Sequence, residues 1–412
     1  MLAHCRPVLV ALALSSTSSV AEGPVLSSPP TMEPAAILEI SRRVEEIRGL
    51  EFKKKVPVRF VGQDAAREYA ARRLSKFTSP EGLASEERAY RILGLLPPDT
   101  SLEDAYGNAV MEAVAGFYDP EGEELFLLDD LPGAAGPIFA AHELTHALED
   151  QHYDLDARIG RSMHDGDLAF AVMAVHEGSA SLVMAIYTEH ALAEGRVGAA
   201  DLEALAASDA GRGEKVAALA PILRRQLLGA YVLGVRFLLR GQSAMAGIRF
   251  PGEETDRCYR DGPLSSEQIL HPDKFWDPGL RDPPRQVDLK DSARLLDEGW
   301  KRTGEGTLGE ISLGLLVGAP TPKTWTSSLA VEEWTNTAAA GWGGDRWQLW
   351  TRGSDAMVVL ATAWDSEVDA REFARALPRR DDSHWRRAGS RVTIVAGQRD
   401  SRLARSVLRE FR

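Results

Sequence analysis

At 412 residues the chain has room for two ordinary domains, and 44% hydrophobic with 26% charged residues excludes wholesale disorder. A net charge of -13 excludes the basic surface that nucleic-acid binding requires. Two cysteines, Cys5 and Cys258, exclude a disulfide-built scaffold and a cysteine-built zinc ribbon.

The chain opens MLAHCRPVLVALALSSTSSVAEG. Arg6, an apolar run over residues 8–14 and the small residues Ser19-Val20-Ala21 predict a cleaved export signal over residues 1–21. Seven apolar residues fall far short of the roughly twenty that cross a hydrocarbon core. The protein is therefore expected to be exported (periplasmic, secreted or at the cell surface), with no stable membrane insertion once the signal is gone. A Pro/Ser-rich flexible leader is expected over residues 22–34.

A first domain is expected over residues 35–285. Helical periodicity marks residues 35–48, 63–74, 85–95 and 101–113, and alternation marks a strand at residues 56–61. Residues 116–128 carry Asp119-Pro120-Glu121-Gly122 between two apolar runs, a hairpin signal. After Pro132-Gly133 and Gly136-Pro137 comes a helix containing Ala141-His142-Glu143-Leu144-Thr145-His146. A second helix, roughly residues 167–194, is apolar nearly all round. His176, Glu177 and Ser181 near its middle argue against a membrane span. Residues 199–250 read as helical, and residues 250–284, with six prolines, as a loop-rich border. Beyond it a C-terminal α/β unit is expected over residues 286–412, with helices at 288–302, 308–317, 368–377 and 401–411 and strands at 347–352, 356–364 and 391–396.

H-E-x-x-H carries the chemistry. Four residues of helix turn through about 400°, so His142 and His146 share a face and can bind one zinc ion at about 2.0–2.1 Å each. Glu143, on the flank of that face, can take a proton from water activated by the metal and pass it to a leaving amine. Two residues compete as third ligand. Glu177 stands on the apolar helix, where a carboxylate without a partner is costly and a metal would remove that cost. His152 completes an H-E-x-x-H-x-x-G-x-x-H spacing, but that pattern needs a glycine where this chain has Glu149. If the helix continues, His152 turns about 240° past His146 and faces away. The expected metal set is therefore His142, His146 and Glu177. His176 is expected in a supporting or core role, and Asp150 either orients an imidazole or is a solvated helix-end carboxylate.

This arrangement resembles the gluzincin group of zinc metallopeptidases, which the two active-site helices carry. HELTHALEDQHYDL, SSEQILHP and GWGGDR are also similar to segments of uncharacterised exported H-E-x-x-H proteins of bacteria and haloarchaea. The resemblance implies an α+β fold: a zincin-like, mainly helical metallopeptidase domain with a small sheet, followed by the smaller α/β unit. In gluzincins an Asp four residues after the ligand Glu braces a histidine; here Ser181 stands there, which implies a different bracing group.

A donor for the developing oxyanion is also needed. His271 in SSEQILHP is the expected one, with Tyr118 as a second candidate. The Tyr118 hairpin more naturally supplies an edge strand to an extended peptide. Gly341-Trp342-Gly343-Gly344-Asp345-Arg346 lacks the strand-to-helix setting of a phosphate loop and reads as a buried turn in which Asp345 and Arg346 pair. The expected function is thus an exported zinc-dependent metallopeptidase, an endopeptidase acting on a peptide or protein substrate and no nucleic acid. The alternative is a zinc-binding but catalytically inactive surface binding protein, against which the presence of Glu143 counts.

Overall fold

Pro34 fits the first turn of a helix because its missing N–H has no intrahelical partner to lose, and Pro34–Arg48 forms helix α1, closed by Gly49 at φ 75°. The computed structural model describes residues 32–105, 116–129, 131, 135–198, 200–201, 203, 217–240, 248–289, 299–322 and 330–410. The expected export signal lies outside them, as do nearly all of the leader and residues 106–113 of an expected helix. The fold is mixed α+β.

After α1 come strand β1 (Val58–Val61), helices α2 (Gln63–Phe77) and α3 (Pro80–Leu93), and the hairpin β2 (Gly116–Asp119) and β3 (Glu124–Leu128). The turn forms where expected, with Asp119 accepting a hydrogen bond from the Glu121 amide. These strands make a three-stranded sheet in the order β1-β3-β2, with β1 parallel and β2 antiparallel to β3. Helices α4 (Ala135–Tyr153), α5 (Leu155–Ser162), α6 (Gly166–Ala193) and α7 (Pro221–Leu239) follow. Gly136-Pro137 lies inside the first turn of α4 rather than before it.

The apolar helix α6 is long enough to cross a membrane, but 72% of its most apolar window is buried inside the fold. It packs on α7 through Gly178 and Gly234, where a Cβ on either residue would collide with the backbone of the other helix. Leu125 and Leu127 of β3, with Ile138, Ala141, Leu144 and Leu148 of α4, Val183 and Tyr187 of α6, and Ile40 and Val44 of α1, form one core around the H-E-x-x-H helix.

The stretch expected as loop contains three short helices, α8 (Gly252–Arg260), α9 (Ser266–Leu270) and α10 (Asp273–Trp276). Two of its prolines, Pro251 and Pro272, sit at helix N-caps, so here proline starts helices instead of preventing them. Next come β4 (Lys301–Gly306), α11 (Gly309–Leu316), β5 (Trp342–Arg352), β6 (Asp355–Trp364), α12 (Glu367–Ala376), β7 (Ser383–Ala388), β8 (Arg391–Ala396) and α13 (Ser401–Glu410).

The α/β expectation for this unit is corrected. Its five strands run β4-β5-β6-β8-β7 and every neighbouring pair is antiparallel. Tight turns join β5 to β6 and β7 to β8, so no parallel crossover is needed. Residues 301 and 302, expected at the end of a helix, begin β4 instead; residues 290–298 of that helix lie outside the described residues.

Nor is GWGGDR a turn. It begins β5, with a register shift between Trp342 and Gly344. Gly344 is at φ 153°, pressed against the Arg285 backbone where a Cβ would not fit. Alternation along β6 sends Val358 and Leu360 to one face, with α3 and α12, and Met357, Val359 and Ala361 to the other, with α13. Helix α3, from the first half of the chain, is thus part of the core of the second sheet.

Candidate metal centre

Helix α4 is apolar on the faces that meet α1, β3 and α6, and this packing orients the H-E-x-x-H residues. His142 and His146, one turn apart, bring their Nε2 atoms to 3.2 Å. The crossing of α6 brings up Glu177, whose Oε2 lies 3.3 Å from His142 Nε2 and 3.6 Å from His146 Nε2. Among the described residues these three form a group able to hold a metal ion.

The donors fit zinc. Tetrahedral ligands at about 2.0–2.1 Å stand about 3.3–3.4 Å from one another, and the three separations bracket that value. Two imidazoles and a carboxylate are an ordinary zinc set. Among the described residues, Glu177 Oε2 and His142 Nδ1 are buried polar atoms with acceptor or donor capacity left unused. Among the described residues no carboxylate braces His142 Nδ1.

Electrostatics point the same way. Burial works against a charge on His146, but the Glu177 carboxylate outweighs it and pushes the imidazole up to about 9. Burial alone would raise Glu177; His146 and His142 reverse this and hold it well below the ordinary carboxylate range. The cluster calls for positive charge, and a proton meets that demand when no metal does.

Glu143 is raised, chiefly by burial and against the pull of His142 and His146, and its Oε2 accepts a hydrogen bond of 3.0 Å from the Tyr118 amide in β2. A cavity of about 430 Å³ opens beside these groups, with His142, Glu143, His146, His176, Glu177, Tyr118 and Tyr231 on its wall.

The other candidates fall in distinct places. α4 continues through Tyr153, and His152 lies against the Glu51 carbonyl at 2.9 Å rather than in the cluster. Glu149, where a metzincin has glycine, is fully buried. It accepts hydrogen bonds from Arg48 of α1 at 2.6 Å, Ser179 of α6 at 2.5 Å and Tyr259 of α8 at 2.6 Å. Asp150 orients no imidazole; it accepts from the Tyr118 hydroxyl and the Leu155 amide. His176 is neutral, pushed down to about 3 by burial, by His146 and by Arg158.

His271 is corrected: it does not line the cavity. Its Nε2 lies 3.0 Å and 3.1 Å from the two oxygens of the buried Glu310, a carboxylate that also accepts from Thr335. Asp345 does not pair with Arg346. It accepts from the Leu308 and Gly309 amides and Trp342 Nε1, while Arg346 faces Glu305 at 3.4 Å.

Sequence reasoning missed Tyr231. It stands on α7 three residues before Gly234, so the glycine contact with α6 carries it to the cluster. Its ring lies nearly parallel to that of His142, with centroids 6.0 Å apart. Burial and the nearby Glu177 and Glu143 hold its hydroxyl well above the ordinary phenol range, so it remains a donor. The available signal was Gly229 and Gly234 in an otherwise bulky helix, which marks close backbone approach.

Residues 294–407 match a family model described as Domain of unknown function (DUF8575). The match covers all five strands of the second sheet and none of His142, His146 and Glu177. No curated protein and no solved structure matches the chain.

Proposed function

We propose that this chain is an exported zinc-dependent metallopeptidase with a zincin-like core of gluzincin type, in which His142, His146 and Glu177 hold the metal. The observation that carries this is the mutual spacing of 3.2, 3.3 and 3.6 Å among the three donor atoms, with the Glu143 carboxylate beside them on one cavity wall. Export rests on residues 1–21.

Zinc held there supplies Lewis acidity toward the scissile carbonyl and toward water. Glu143 is the general base and then the acid: its raised pKa suits it to accept a proton and give it up, and the Tyr118 amide fixes one of its oxygens. Tyr231, which keeps its proton, is the donor for the developing oxyanion, in place of His271. β2 lies at the edge of its sheet and offers its backbone to an extended peptide substrate.

The test is hydrolysis of an unstructured protein by the purified mature chain, wild type beside Glu143→Gln. Both should hold about one zinc ion, and the variant should lose on the order of 10²–10⁴ in turnover. Equal activity in the two would sink the assignment. Full zinc occupancy with no hydrolysis in either would instead favour the inactive binding protein.

A further inference from the structure

We infer that the cavity beside the metal-ligating cluster contains a carboxylate-binding subsite at Arg73, so that it selects peptides presenting a carboxylate near an apolar residue. The subsite stands on its own geometry; calling its ligand a substrate rests on the peptidase proposal.

Arg73 lies in the last turns of α2 and reaches the cavity wall across from α4, α6 and α7. It is the one arginine or lysine among the described residues of that wall. Around it the wall is apolar, with Leu155, Ile159, Met173, Leu223, Leu227 and Ala230. The guanidinium is held in place, with Cζ 4.9 Å from the centre of the Phe77 ring and Nη2 donating to Asp156 Oδ1 at 2.7 Å.

Asp156 does not use up the charge. Its other oxygen accepts from Lys76 Nζ at 2.8 Å, so one carboxylate serves two cations. Lys76 has a second, looser neighbour in Glu121 at 3.5 Å; among the described residues Arg73 pairs with Asp156 alone. Arg73 Nη1 is buried and has no hydrogen-bond partner among the described residues.

A buried N–H without an acceptor is costly, and guanidinium N–H groups pair well with carboxylate or phosphate oxygens; of the two, a peptide carries the carboxylate. The acids that share the wall, Glu143 and Glu177, are committed to base catalysis and metal binding in the proposal. No described residue supplies an acceptor to Nη1, and the inference assigns that role to the ligand. Two sources present this chemistry: the α-carboxylate of a chain terminus, or an aspartate or glutamate side chain.

The experiment measures binding of matched probe pairs to the full mature chain by ligand-detected NMR, with zinc and after EDTA treatment. The first pair is N-acetyl-leucine against N-acetyl-leucinamide, and the second is N-acetyl-Leu-Glu-amide against N-acetyl-Leu-Gln-amide. We expect the carboxylate member of at least one pair to bind wild type about tenfold or more tightly, with or without zinc. Arg73→Gln should abolish that preference and Arg73→Lys retain part of it. Discrimination in the first pair assigns a chain terminus, and in the second an acidic side chain. No preference in either pair on wild type, which depends on no variant folding, would overturn the inference, as would a preference that survives in Arg73→Gln. Failure of the peptidase proposal would appear separately, as absence of hydrolysis by a zinc-loaded chain that still prefers carboxylates.

Discussion

Among the described residues, two groups of three side chains could ligate a metal ion: His142, His146 and Glu177, and Glu267, Asp282 and Asp365. The second group receives Lys274, whose Nζ lies 2.6, 2.9 and 2.6 Å from Glu267, Asp282 and Asp365. Its cation is part of the chain. That clasp fastens the stretch containing α9 and α10 to the end of β6. At the first group the described chain supplies no ammonium or guanidinium, only a proton on imidazole. Converging ligands by themselves state a demand for positive charge, and the source of that charge separates a structural clasp from a candidate metal centre.

The sharpest test of the contrast removes a ligand. Glu177→Ala should weaken zinc binding by more than the roughly 10–100-fold typical of losing an outer partner, whereas His152→Ala should leave it unchanged, as read by competition with a chelator. Zinc lost only with His152→Ala would move the centre to a different ligand set. At the clasp the same logic predicts a loss of stability without any metal effect. Lys274→Met strands the buried Glu267 among two other acids and should cost about 3 kcal/mol in denaturant unfolding, with zinc content unaltered.

A smaller effect is expected at the helix crossing. Gly234→Ala puts a methyl group into the α6 backbone and should cost about 1–3 kcal/mol, while lowering turnover because Tyr231 moves with α7. Stability lost with full turnover kept would show that Tyr231 is not the oxyanion donor.

The smallest effect is a pH dependence of the metal-free chain. His146 is raised to about 9, above its ordinary value near 6.5, so its pairing with Glu177 stabilises the fold fully below pH about 6.5. That contribution is lost as pH rises toward 9. Thermal melting should therefore fall across that window without zinc and fall less with zinc bound. Parallel melting curves would remove the proton from the comparison.

The convergence of His142, His146 and Glu177 was legible because each broke a local pattern: two histidines one turn apart, and a carboxylate in the middle of an apolar helix. β6 and β8 were legible as short, nearly continuous apolar runs, because both faces of their sheet are covered. β4 and β7 were not. Lys301–Gly306 and Ser383–Ala388 carry little apolar alternation and become strands by pairing with β5 and β8 at the sheet edges. Tyr231 and the partner of His271 depend on which helices cross, and nothing local to either residue encodes that. Glu149 was read correctly as an obstacle to a glycine-type helix break, but its bonding to α1, α6 and α8 belongs to tertiary structure alone.

That buried carboxylate bears on how the chain can be processed. Arg48, at the end of α1, is the guanidinium bonded to Glu149, and Glu149 lies one turn beyond the second histidine. Helix α1 is therefore no detachable prosegment. Cleavage beyond it would remove the guanidinium from a buried acid on the H-E-x-x-H helix itself, so any maturation that keeps this pair must stop upstream of Arg48.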